Sequence, residues 1–86
     1  SLDVYGRIAR VLIDLAKSEG ERQDEGIFIK NRPTQQELAS MVGTTRETVS
    51  RVLSEFQKRG LIATQGKTVL LSYGFAEEGL SGTRDP

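Results

Sequence analysis

Apolar residues near the start of the chain fall at Val4, Ile8, Val11, Leu12 and Leu15, a spacing that stacks them on one helical stripe. Asp3 stands just ahead as an N-cap, so an amphipathic helix is expected from Asp3 to about Ser18, slightly weakened by Gly6 in its first turn. The pattern then breaks. Glu19 to Gly26 is polar and acidic with two glycines, which predicts an exposed loop. Ile27-Phe28-Ile29-Lys30 is β-branched and aromatic and reads as a strand too short to stand without a partner.

Asn31-Arg32-Pro33 ends that strand, and Thr34-Gln35-Gln36-Glu37 has the form of a capping box. The brief helix it opens carries Leu38, Ala39, Met41 and Val42 as apolar positions and stops at Gly43. Thr45 then caps a second helix, expected over 45–59, with Val49, Val52, Leu53 and Phe56 on its inner face. Lys58 and Arg59 complement the dipole of its last turn, Gly60 ends it, and Leu61 closes the cap. Leu61 to Thr64 and Thr68 to Leu71 are β-prone runs joined by Gln65-Gly66-Lys67, the signature of a hairpin that can accept the 27–30 strand into a small sheet. From Ser72 onward no apolar period is seen, so residues 72–86 are expected to form a flexible tail after a domain at 1–71. Tyr5, Phe28 and Phe56 are expected in the core.

A short helix, a glycine turn, a second helix and a hairpin follow one another in the order of a winged helix-turn-helix, a mainly α fold with a small antiparallel sheet. Ala39 sits where the two helices cross, and Val49 and Val52 lock the second onto the first.

Composition narrows the function. The 86 residues contain no Cys and no His, which removes disulfides, thiolate zinc sites, imidazole bases and Ser-His pairs. The carboxylates are scattered, with no apolar pocket to raise one into a general acid, so an enzyme is not expected. No run of 18 apolar residues and no signal peptide is evident, so a cytoplasmic protein without membrane attachment is the default. The sequence opens with Ser1 rather than Met, which suggests a segment of something longer. Net charge is zero, yet residues 30–67 hold seven basic residues (Lys30, Arg32, Arg46, Arg51, Lys58, Arg59, Lys67) against three acidic ones (Glu37, Glu47, Glu55). The middle of the chain is therefore the part expected to face phosphates.

At 100° per residue, the apolar side of the second helix lies roughly 140° from a polar side holding Arg46, Glu47, Ser50, Arg51 and Ser54. Arginine can donate to guanine O6 and N7, and glutamate can accept from cytosine N4, so Arg46, Glu47, Ser50 and Arg51 are candidate base contacts. The plainer reading is a solvated face with Glu47 and Arg51 paired as i, i+4 partners, and the pair could also orient Arg51 for base contact. Thr34, Gln36, Thr45, Thr48 and Lys67 lie near helix starts or the hairpin turn, where they can grip phosphate or serve only as caps and turn residues. A module that docks a protein partner through the same helix is the competing reading.

The segment TQQELASMVGTTRETVSRVLSEFQKRGLIATQGK, Thr34 to Lys67, resembles the C-terminal domain of the cyclic-AMP receptor protein and fumarate-nitrate regulator family of bacterial transcription regulators. With Asp3 to Ala9 included, the resemblance covers about residues 2–71. It implies that Arg46, Glu47 and Arg51 touch bases and that Thr34, Gln36, Thr45 and Lys67 touch the sugar-phosphate backbone. Arg46 is similar to the cyclic-AMP branch, and Ser50 in Glu-x-x-Ser-Arg to the fumarate-nitrate branch. The resemblance further implies a homodimer, a two-fold symmetric operator with a TGA-containing half-site, and DNA bending. No cofactor is implied in this segment; an effector such as a cyclic nucleotide would bind an N-terminal domain outside it. In some members the loop matching 19–26 contacts RNA polymerase, but its residues here differ from that pattern.

Overall fold

The computed structural model describes residues 3–79. Asp3 accepts the Gly6 amide at 2.9 Å and opens α1, Val4–Glu19, whose Ile8, Ala9, Leu12, Ile13 and Ala16 are buried. A hairpin follows, with β1 at Glu21–Gln23 and β2 at Gly26–Ile29, and the helix-turn-helix pair is α2, Gln35–Val42, and α3, Arg46–Lys58. The second hairpin is β3, Ile62–Gln65, and β4, Thr68–Ser72, and the described chain ends in α4, Tyr73–Glu78.

The four strands form one antiparallel sheet in the order β1-β2-β4-β3. Strand alternation sends Ile27, Ile29, Val69, Leu71 and Ile62 to one face, where they join buried residues of all four helices in a single core. Phe56 is its centre, with its ring 6.0 Å from Tyr5 and 5.2 Å from Phe75, centroid to centroid. Such tilted and edge contacts add to the area each ring buries.

The two helix ends that place α3 are set by glycine. Gly43 adopts φ 77° and ψ 46°, a left-handed residue that ends α2 while its amide and that of Thr44 both donate to the Ala39 carbonyl at 2.9 Å. At the end of α3, Gly60 (φ 74°) donates to the Gln57 carbonyl and Leu61 to the Phe56 carbonyl, the two bonds of a Schellman motif. Leu61 then packs against the core, so α3 passes into β3 without a slack linker.

Several expectations need correction. The 19–26 segment is exposed in part, but Glu21–Gln23 is a strand: its backbone pairs with β2 although all three side chains face solvent. Phe28 is not core. Its neighbours Ile27 and Ile29 point inward, so alternation turns Phe28 to the opposite face beside Leu70, half-buried. Met41 lies outside the α2 core face at 57% exposure.

The largest correction concerns the tail. Ser72 caps α4 by accepting the Phe75 amide at 3.1 Å, and Phe75 and Ala76 are buried at 1% and 5% exposure. Six residues cannot display a 3.6-residue period, which is why the pattern was invisible. Residues 80–86 of the expected tail lie outside the described residues.

Candidate nucleic-acid interface

The Thr45 hydroxyl accepts the Thr48 amide at 3.1 Å and fixes where α3 begins. From that start the helical step carries Val49, Val52, Leu53 and Phe56 inward, none more than 5% exposed. Burial of each contributes about 1.5–3 kcal/mol, enough to hold the rotation of the helix about its axis. The side chains left outside are Arg46, Glu47, Arg51 and Ser54, exposed, and Ser50, half-buried.

Among the described residues, Arg46, Glu47 and Arg51 make no ion pair. The expected Glu47–Arg51 pair is absent, whereas Arg10–Asp14 and Glu55–Arg59 do form i, i+4 contacts at 3.3 and 3.4 Å. Glu47 already sits in the first turn of α3, where the helix dipole favours an anion, so reaching for Arg51 would gain little against lost side-chain freedom. The outer face therefore presents two guanidiniums and a carboxylate with no ion-pair partner among the described residues.

The expected backbone contacts surround this face in chain order but differ in their commitments. Thr34 and Glu37 complete the capping box: the Thr34 amide donates to Glu37 Oε1 at 2.8 Å and the Thr34 hydroxyl accepts the Glu37 amide at 3.0 Å. The Thr34 amide is the main reason the Glu37 carboxyl is held below its ordinary value of 4.5, with the Thr34 hydroxyl next and the Lys67 charge adding to both. Thr45 donates its hydroxyl proton to Thr48 Oγ1 at 3.1 Å, so Thr48 is the member of that pair with a proton left to give. Gln36 is exposed on α2. Lys67 is exposed in the two-residue turn Gly66–Lys67 that joins β3 to β4, the tip of the wing.

Arg32, counted among the phosphate-facing cations, turns inward and is only 8% exposed. Its Nη1 donates to the Pro33 carbonyl at 2.6 Å and its Nη2 to the Gly66 carbonyl at 3.2 Å, while its amide donates to the Lys67 carbonyl at 2.9 Å. It lines a cleft of about 630 Å³ with Asn31, Pro33, Gln36, Glu37 and Lys67, floored by Leu15 and Met41. No sequence signal marks the inward turn of this arginine, because the wing carbonyls it meets, Gly66 and Lys67, lie 34 and 35 residues away.

The profile of the Crp-like helix-turn-helix domain matches residues 6–73, the whole of the arrangement just described. The chain belongs to the Crp-like helix-turn-helix family. It is 41% identical over 70 residues to the CRP-like cAMP-activated global transcriptional regulator of Mycobacterium tuberculosis, covering 81% of this chain and 31% of that protein. It is 46% identical over 74 residues to the cAMP-activated global transcriptional regulator CRP of Pasteurella multocida, covering 85% and 34% respectively. Among solved structures it superposes on the CO-dependent transcription factor CooA of Carboxydothermus hydrogenoformans with a TM-score of 0.73 at 36% identity, covering 80% of this chain and 32% of that one. The chain thus spans about a third of the length of the curated relatives it matches. As a member of this family of transcription regulators, this Crp-like domain is a DNA-binding winged helix-turn-helix. Among the described residues no helix is long and apolar enough to cross a membrane.

Proposed function

We propose that α3 lies in the major groove of double-stranded DNA and reads base edges with Arg46, Glu47, Ser50 and Arg51, while Thr34, Gln36, Thr45, Thr48 and Lys67 hold the phosphate backbone. The observation that carries this reading is the outer face of α3: two guanidiniums and a carboxylate, exposed and without ion pairs among the described residues, on a helix whose opposite face is locked into the core. Arg46 and Arg51 suit guanine, and Glu47 suits the cytosine amino group. Family resemblance supports a TGA-containing half-site in a two-fold symmetric operator, bound by a homodimer whose effector, such as a cyclic nucleotide, acts through a domain outside this segment. Nothing in this reading requires catalysis, and the protein works in the cytoplasm on the chromosome.

Fluorescence titration of palindromic and scrambled duplexes at two salt concentrations tests the proposal. Arg51→Ala is expected to cost about 1–3 kcal/mol on the palindrome and to relax specificity, and Lys67→Ala to weaken both duplexes evenly while lowering the log–log salt slope by about one. Equal losses on both duplexes for Arg51→Ala would remove base reading by that residue. Weak binding without salt dependence would favour a protein-docking module instead.

A further inference from the structure

Arg32 is a buried cation that the DNA-binding reading does not use. Its guanidinium faces two backbone carbonyls, no carboxylate pairs with it among the described residues, and its Nε has no hydrogen-bond partner. Burial without a counter-charge is costly, and the loss of hydration pulls the pKa of this group down from the usual arginine value. An apolar side chain would avoid that penalty but would leave the Pro33 and Gly66 carbonyls without their donor, so the arginine is retained for what it holds together.

What the arginine touches gives an alternative. The two wing-tip residues each give their carbonyl to Arg32, Gly66 to the side chain and Lys67 to the backbone amide. The third bond goes to Pro33, immediately before the Thr34 cap of α2. A two-residue hairpin tip normally points into solvent; this one is tied to the start of the helix-turn-helix, with Thr68 Oγ1 adding a bond to the Lys30 carbonyl at 3.1 Å. Thr34 and Lys67, from the two ends of the motif, are thereby held relative to one another.

We propose that Arg32 is a positioning residue for DNA: it clamps the wing tip to the N-terminus of α2 so that Lys67 and Thr34 meet the phosphate backbone at a set spacing, with its buried charge reinforcing their attraction for phosphate. This rests on the reading of α3 and the wing as a DNA interface. It assigns Arg32 no contact with bases, so its effect is independent of sequence. The effect also runs through Lys67, so the two residues are coupled.

A double-mutant cycle on the 86-residue chain separates these claims, with a fluorescein-labelled duplex carrying two TGA half-sites and a scrambled duplex of equal length as probes. Arg32→Met is expected to weaken both duplexes by the same factor, roughly eightfold for loss of one phosphate contact at 0.1 M relative to 1 M salt, and to lower the salt slope by about one. In a Lys67→Ala background, Arg32→Met should produce less than about a twofold further loss and no further change in slope. Arg32→Lys keeps the charge but not the planar fork that reaches two carbonyls at once, and should recover part of the affinity; it also serves if the Met variant does not fold, as checked by circular dichroism. Full additivity of Arg32→Met and Lys67→Ala, or a weakened palindrome with an unchanged scrambled duplex, would overturn the proposal. Failure of the unmodified chain to bind either duplex with salt dependence would instead overturn the DNA reading beneath it.

Discussion

The sheet is made of two hairpins that share a design and differ in sign. Each turns over two residues, Asp24–Glu25 between β1 and β2 and Gly66–Lys67 between β3 and β4, and each is secured by an arginine. On the first, Arg22 lies 4.9 Å from the Tyr73 ring and 3.8 Å from Glu77, while the Tyr73 hydroxyl donates to the Gln23 carbonyl, so the hairpin leans on α4. On the second, Arg32 is buried and holds the tip itself. The first clamp is exposed, ion-paired and ends in an acidic tip; the second is buried, unpaired and ends in a basic one. Topology is thus the same for both, and the charge at the turn is what separates them: under the proposed reading only the basic tip suits phosphate.

The comparison breaks most severely at its shared support. Phe75 anchors α4 against Phe56, and Phe75→Ala is expected to cost about 3–5 kcal/mol, read from urea unfolding, a large share of the stability of a domain this small. Next in size is charge reversal at the tips. Lys67→Glu should lower the salt slope of DNA binding by roughly two, whereas Asp24→Lys on the other tip should leave affinity for a short duplex within about twofold. Thr34→Ala removes the cap of α2 and should cost about 1 kcal/mol. That cap also carries a pH signature. Because Glu37 is held below its ordinary value of 4.5 in the folded chain, its contribution is present above that value and is lost as pH falls through the depressed folded-state pKa; Glu37→Gln should flatten this acid limb of the unfolding curve. Smallest is Arg22→Ala, whose exposed ion pair and ring contact together should be worth under about 1 kcal/mol, with no change in DNA affinity.

The same two hairpins show what was legible beforehand. The wing announced itself because β-prone runs flank a glycine turn, and α2 and α3 because Thr34, Glu37, Gly43, Thr45 and the Val49-to-Phe56 spacing each encode a local event. Those signals act over three or four residues. β1 was missed because Glu21, Arg22 and Gln23 face water on both sides of an edge strand, so no alternation exists to read. Its clamp was missed because Tyr73 bonds across 50 residues. Arg32 looked like one more surface cation, since only the folded chain brings Gly66 to it. Helical arithmetic puts Arg46, Glu47, Ser50 and Arg51 on the outer face, where the structure has them; the same arithmetic allows a Glu47–Arg51 pair, which does not form because Glu47 in the first turn is already favoured by the helix dipole.

The outer face of α3 carries little of the fold. Arg46, Glu47 and Arg51 form no ion pair among the described residues, and the helix keeps its place through residues on the other side. Substitutions on this face are expected to leave the fold and stability nearly untouched, so if it reads bases as proposed, its preferences can change in a few steps without passing through an unfolded intermediate.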